Sequence, residues 1–436
     1  MKKNFDYTII GAGPMGLYLS YLLSKNGFKV RIVDSNKNPG GHARPFRFSK
    51  ILIEYFYHFF YKNDHQNSLK WINDVKGNDR ISWKEINTTI IIKSKKKFKF
   101  INSDSLTNII QIFKLDFFQI LIAFFKIKFF SFNNKDIKKP AYIWAKNLFG
   151  KNFSNLIWLP LLTGKFSNKW KNISSLWLFT RIKRHLSTKK LFSRKSIFGY
   201  LNNTYLPTIK KNILYIEKKG SKFIGNIKIK KIYIKKNKIL TLITKNKIIK
   251  IHKDEKIIST IPLFALKQIV KNEKKFNYLK KFHGVGVIVC ILKINKKISN
   301  SYWTSVSLSK YPFNAIIQQN RLFSRSKYEI VYTSKYLNNN SKLFNKDSYY
   351  LKNLIINSII KIYPHITKKN VLDAKIVKST TAAPLPSINS ICKLPDFKSP
   401  IDNFWHAGLE YIYPEDRGVG NSIVISQKIF KLLTRK

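Results

Sequence analysis

The chain has 436 residues, 44% of them hydrophobic and 14% aromatic, which is ample for a large buried core and excludes a disordered chain. Lys and Arg number 82 against 22 Asp and Glu, a formal net charge of +60; the lysines are spread along the whole chain, so the excess does not describe a nucleic-acid arm. The two cysteines, Cys290 and Cys392, lie far apart, which excludes a disulfide framework and a zinc site and suits a reducing cytoplasm.

In chain order, residues 5–10 (FDYTII) read as a short buried strand running into the loop Gly11-Ala12-Gly13-Pro14-Met15-Gly16. A helix is expected over Leu17–Ser24, with Leu19, Leu22 and Leu23 on its apolar side, and Gly27 ends it. Lys29–Val33 form a second strand capped by Asp34, which completes the parallel crossover unit of a doubly wound sheet. Lys2 and Lys3 ahead of an apolar stretch mimic a signal peptide, but Asp6, the glycine loop and Lys25-Asn26-Gly27 interrupt it, so the segment is read as mature protein.

Residues 80–100 alternate apolar and polar positions and read as antiparallel strands, and the pattern turns helical from about 104 to 190. Within the helical part, Phe117–Phe125 (FFQILIAFF) is bracketed by Asp116, Lys126 and Lys128 and is about half the ~20 residues that span a bilayer. A buried or interfacial helix is expected there, with monotopic membrane contact as the alternative. Short Ile-rich strands separated by Lys-Asn turns follow over 223–261, and strands with interleaved aromatics over 283–335. A helix near 349–363, a Pro-broken loop over 382–400, a strand over Phe404–Gly408 and a helix over 420–433 complete the chain. The alternation implies two domains interwoven along the sequence, with the first and last segments adjoining in space.

The glycine loop has a physical logic. Gly11 permits the tight strand-to-helix turn, Gly13 lets backbone approach a pyrophosphate, and Gly16 allows close helix–strand packing. The helix that follows points its amides and positive dipole end at the anion. Asp34, 18 positions after Gly16 with Ser35 beside it, can accept both ribose hydroxyls of an adenosine and would repel a 2′-phosphate. This much fits NAD as well as FAD.

The next segments resemble one family. Gly40-Gly41-His42-Ala43-Arg44 is a second glycine pair at the spacing of the amine-oxidase-like flavoproteins. Glu54-Tyr55-Phe56-Tyr57-His58-Phe59-Phe60, Pro160-Leu161-Leu162-Thr163-Gly164-Lys165-Phe166 and Tyr413-Pro414-Glu415-Asp416-Arg417-Gly418 are similar to segments of a bacterial subgroup of that superfamily, which includes amine oxidases, protoporphyrinogen oxidases and phytoene desaturases. The resemblance runs from residue 5 to residue 430. It departs from the pattern at His42, where many members have Arg, and at Gly408 and Glu410, where Leu409 separates a glycine and an acid that normally adjoin.

The resemblance implies an α/β chain, with a Rossmann-like FAD-binding domain interwoven with an α+β substrate-binding domain. Residues 1–75, 211–270 and 396–436 would form the first, and 76–210 and 271–395 the second. FAD would rest on Gly11, Gly13, Pro14, Met15, Gly16, Asp34, Ser35, Gly40, Gly41, His42 and Arg44. At its other end it would meet Gly408, Glu410, Asp416, Gly418 and Val419, where a terminal helix N-terminus faces the flavin's pyrimidine edge. His58, able to titrate near neutrality, Lys165 and Arg417 are the catalytic candidates. Tyr302, Trp303, Tyr311 and Phe313 either line a cavity or pack in a sheet. Gly284-Val285-Gly286 lacks a third glycine and a helix, so no separate NAD(P)H domain is expected.

The implied function is oxidation of a small-molecule substrate by hydride transfer to the flavin, in the cytoplasm. No specific nucleic acid is expected as a partner, and peripheral contact with an anionic membrane is left open. A sugar-nucleotide mutase and a cofactor-free binding module are the alternatives on the same fold.

Overall fold

The computed structural model describes residues 4–434 except 63–64, 95–96, 106–108, 111–114, 188–194, 272, 309 and 392–393. Tyr7–Ile10 is buried at every position, as a strand covered on both faces must be. It pairs in parallel with Val30–Val33 on one side and Lys256–Ser259 on the other. Lys222–Ile224 and Phe404–His406 extend the two edges, giving five parallel strands drawn from the beginning, middle and end of the chain.

The helix Pro14–Lys25 starts earlier than the apolar pattern alone suggests, because Pro14 suits the first helical turn, where no amide hydrogen is required. Its Leu17, Leu19 and Leu23 join Ile209 and Ile216 of the helix Leu206–Lys218 and Ile423 and Ile429 of the terminal helix Val419–Thr434 in one core. The terminal helix is tied to the first by Ser426 Oγ, which donates to the Met15 carbonyl at 2.8 Å. The boundary expected at residue 210 falls inside the helix Leu206–Lys218.

Ile229–Lys235, Lys238–Thr244 and Ile248–Lys250 form a separate antiparallel sheet. Its first turn is Lys236-Asn237 with φ of 46° and 58°, the left-handed pair that matches the twist of a tight hairpin.

The second unit is built on an eight-stranded sheet. Gly284–Ile294 is paired on both sides, between the edge strand Val371–Pro384 and Glu329–Leu337, so Gly284 and Gly286 belong to a strand and not to a phosphate loop. Ile81–Ser94 and Lys97–Asn102 pair antiparallel, as their alternation predicts, and Ile81–Ser94 also pairs in parallel with Ser301–Val306. A helical layer packs against this sheet, its Leu162, Phe166 and Trp177 sharing a core with Val285 and Ala383. Cys290 is buried and unpaired; Cys392 lies outside the described residues. No helix among the described residues is long and apolar enough to cross a membrane.

Candidate active site

The two glycine segments converge at the end of the first strand. The Gly11 amide donates to the Val33 carbonyl at 2.8 Å, and the Gly40 amide to the Ala12 carbonyl at 2.7 Å. A Cβ on Gly16 would sit 2.0 Å from the Gly11 carbonyl oxygen, so only hydrogen fits there. Gly16 is a packing residue and does not border the cavity described below; nor does Gly40, whose φ of 118° shapes the second turn. A Cβ on Gly41 would fall 2.9 Å from Gly13 Cα, so the two segments touch.

Gly13 is different. A Cβ built there meets nothing within 4 Å, and Gly13 supplies no side-chain cap to the first amides of its helix. An uncapped helix N-terminus facing open space is a site for an anion. Gly11, Gly13, Pro14 and Met15 border a single cavity of about 1470 Å³.

Asp34 and Ser35 border the same cavity. Asp34 Oδ2 accepts from the Ala12 amide at 2.8 Å, and Oδ1 from the Asn36 amide at 2.7 Å and Asn36 Nδ2 at 2.9 Å. The carboxylate therefore first shapes the glycine loop, and its remaining lone pairs are what a ribose would use. Arg44 lies over the Tyr55 ring, 4.7 Å from its centroid. His42 Nε2 is 2.9 Å from Ser379 Oγ and its ring packs on Phe56, so it fastens the glycine pair to the second sheet. Burial, with Arg417, His58 and Arg44 nearby, pushes its pKa down to about 3, so it carries no charge toward a phosphate at neutral pH.

Another part of the cavity wall is cationic. Lys165 Nζ donates to Asp416 Oδ2 at 2.6 Å, Arg181 donates to the same oxygen at 2.6 Å, and Arg184 stands 3.8 Å away. Burial acting alone would raise the Asp416 carboxyl, but Lys165, Arg181, Arg184 and Arg417 hold it well below the usual carboxylate range. Burial lowers Lys165 well below an ordinary amine, opposed by Asp416 and reinforced by Arg181 and Arg417. Lys165 also lies 4.8 Å from the centre of the Trp177 ring, and Arg184 4.7 Å from that of Tyr61. The loop carrying Asp416 is held on the helical layer by Thr180 Oγ1, which donates to the Pro414 carbonyl at 2.8 Å.

Arg417 turns the other way. It donates to the Ala382 carbonyl at 2.6 Å and to the Tyr336 hydroxyl, and so holds the cavity wall. Gly418 and Val419 follow, with Gly420 and Asn421, so the N-terminus of the terminal helix also borders the cavity.

His58 also borders the cavity, and its buried Nδ1 has no hydrogen-bond partner among the described residues. Burial pushes its pKa down to about 4, so at pH 7 the ring is neutral and does not titrate near neutrality as its residue type suggests. Of the aromatics, Trp303 borders the cavity, whereas Tyr302 and Phe313 are buried in the core.

Two expected contacts are corrected by the geometry. Glu410 is buried, and its carboxylate accepts the amides of Leu263 at 2.9 Å and Phe264 at 3.2 Å. It caps the helix Leu263–Ile269 and does not border the cavity. Burial raises it to about 7, against these amide hydrogen bonds. Gly408 is also off the cavity: a Cβ there would meet Glu410 Oε2 at 2.6 Å, so it makes room for that cap. The intervening Leu409 is the residue of this turn that reaches the cavity.

Arg181 and Arg184 are site residues that sequence reasoning missed. A signal was present: the chain has 11 arginines among its 82 basic residues, and four of them, Arg44, Arg181, Arg184 and Arg417, border this cavity. A guanidinium presents a planar fork of donors that an ammonium lacks, which suits it to carboxylate and phosphate.

Comparison with known proteins agrees with this architecture. Residues 9–75 match the family model described as an NAD(P)-binding Rossmann-like domain. A thiamine thiazole synthase of Thermotoga maritima is 41% identical over 51 residues, which is 11% of this chain and 20% of that enzyme. Among solved structures, a protein of Exiguobacterium sp. 255-15 provisionally assigned as a protoporphyrinogen oxidase matches at TM-score 0.75 and 12% identity, over 99% of each chain. A reduced UDP-galactopyranose mutase matches at 0.72 and 13%, over 99% of this chain and 96% of its own. A putrescine oxidase bound to putrescine matches at 0.70 and 11%, over 99% of each. The chain therefore shares the overall fold of these solved structures.

Proposed function

We propose that this chain is an FAD-dependent oxidoreductase that takes hydride from an organic substrate carrying an anionic group. The observation that carries this reading is the single cavity joining an uncapped helix N-terminus at Gly13 to a cluster of Lys165, Arg181 and Arg184 around Asp416. Its volume of about 1470 Å³ exceeds the ~300–1,000 Å³ of ordinary ligand pockets, which leaves room for a dinucleotide and a substrate together.

Gly13, Asp34 and Arg44 would hold the pyrophosphate and ribose, and Val419–Asn421 would present amides to the ring end. When bound, the flavin supplies the hydride acceptor. The chain's own residues orient and stabilise. Lys165 and Arg181, gathered with Arg184 around Asp416, would meet a carboxylate or phosphate on the substrate. His58 borders the cavity as a neutral ring and would act as an acceptor toward the group being oxidised. Trp303 and Val289 line the cavity and would help keep water from the reacting bond.

The test is a visible absorption spectrum of purified protein with added FAD, followed by anaerobic mixing with anionic amines, porphyrinogens and sugar nucleotides. Yellow protein bleached by one of them supports the reading; protein that takes up no flavin overturns it. The cation cluster also suits a sugar-nucleotide diphosphate, as a mutase-type isomerase would require. Turnover without any electron acceptor would select that second reading.

A further inference from the structure

The segment Phe117–Phe129 forms one helix of 13 residues, capped by Asp116 Oδ1, which accepts the Gln119 amide at 2.9 Å. Its inner side is ordinary core: Ile120, Ala123 and Ile127 are buried. Its outer side is not an ordinary surface. Phe118 is 73% exposed, Ile122 52%, Phe125 54% and Phe129 62%, and Phe130 just beyond the helix is 59% exposed. At 3.6 residues per turn these four helical positions fall within an arc of about 60°, with Lys126 and Lys128 on its two borders. An exposed apolar stripe of this kind marks a docking surface.

We propose that this helix docks the protein, in the plane of the interface, on a membrane surface containing anionic phospholipid. The stripe would enter the acyl boundary while Lys126 and Lys128 reach the headgroups from either side, burying their stems. Charge names the occupant. From 117 to 152 the chain carries seven lysines, at 126, 128, 135, 138, 139, 146 and 151, all exposed, and one acid, Asp136. A second copy of the chain would bring the same lysines and the same +60 charge against them, whereas an anionic bilayer offers the opposite sign. The helix is too short to cross, so it lies in the surface. The same helix borders the cavity through Phe117, Leu121 and Phe124, and the first two are also 41% and 47% exposed. Docking by this face therefore turns one wall of the cavity toward the lipid. The inference stands on the exposed stripe and the lysines around it and does not depend on the bound cofactor.

The experiment is co-sedimentation of the full chain with phosphatidylcholine vesicles, with and without phosphatidylglycerol, at low and high salt. Binding is expected only to the anionic vesicles and should weaken with salt. The triple variant Phe118→Ser/Ile122→Ser/Phe125→Ser removes exposed groups only and should keep the wild-type thermal unfolding curve. It should lose affinity on the order of a hundredfold. Lys126→Gln/Lys128→Gln should lower affinity for anionic vesicles by roughly tenfold or more. Vesicle binding unchanged by the triple serine variant would overturn the proposal, because the charge of the whole surface would then suffice. So would a concentration-dependent dimer that the same variant converts to monomer, since a second copy would then be the partner.

Discussion

The Lys165 ammonium and the Asp416 carboxylate meet at 2.6 Å across 251 residues of sequence, and Arg181 closes on the same oxygen at the same distance. Both Lys165 and Asp416 are largely removed from water, with side-chain exposures of 11% and 13%. Asp416→Asn would leave three clustered cations without their common counter-charge. It should cost about 3–5 kcal/mol, the range for breaking a buried ion pair from one side. Chemical denaturation checks this; a loss within error of zero would show that water screens the cluster.

The two inner glycines of the first loop should separate stability from cofactor binding. Gly13→Ala places its methyl where the protein has no atom within 4 Å, so apoprotein stability should change by less than about 1 kcal/mol. FAD binding should nevertheless fall steeply, because that space is where the pyrophosphate would lie. Gly16→Ala puts a methyl 2.0 Å from a carbonyl oxygen and should destabilise the apoprotein by about 1–3 kcal/mol or more. Thermal melts of apoprotein with flavin fluorescence titrations distinguish the two; equal effects of both variants on the melt would contradict this division.

Glu410 should behave as a structural cap. Glu410→Ala strands the buried amides of Leu263 and Phe264 and should cost about 1–3 kcal/mol. At temperatures where the variant is folded, its flavin spectrum and affinity should match wild type. A several-fold loss of flavin affinity in folded protein would return Glu410 to the cofactor site.

The pH response of His58 follows from its burial. The unfolded chain takes up this proton near pH 6.5 and the folded chain only near 4, so its contribution to stability is full above pH 6.5 and is lost as pH falls toward 4. Histidine NMR titration of wild type and His58→Asn should show a ring that stays neutral at pH 5 and is missing from the variant. An imidazolium signal for His58 at pH 7 would rule the neutral assignment out.

Local chemistry made much of this protein legible in its sequence. The glycine loop, the strand–helix–strand unit and Asp34 each follow from constraints that act over a few residues: steric room at Gly16, alternation or helical period, and an acid at a strand end. The short, uncrossing apolar helix at Phe117–Phe129 was equally readable from its length and bracketing lysines. What its outer face does was not, because burial of Ile120 beside exposure of Phe118 depends on which helices pack beneath.

The glycine turns beside the first strand follow from local sequence, since they lie in one contiguous stretch whose backbone geometry its glycines dictate. The cationic cluster, by contrast, exists only in the folded chain. Lys165, Arg181 and Asp416 come from a helix turn, a second helix and a distant loop, and none has a local pattern that names its partner. Likewise, the tertiary structure turned Glu410 from a presumed cofactor ligand into a helix cap, because the amides it satisfies lie about 147 residues away along the chain. Long-range electrostatics and burial set the charge states of Lys165, His58 and Asp416, and those quantities exist only once the chain has folded.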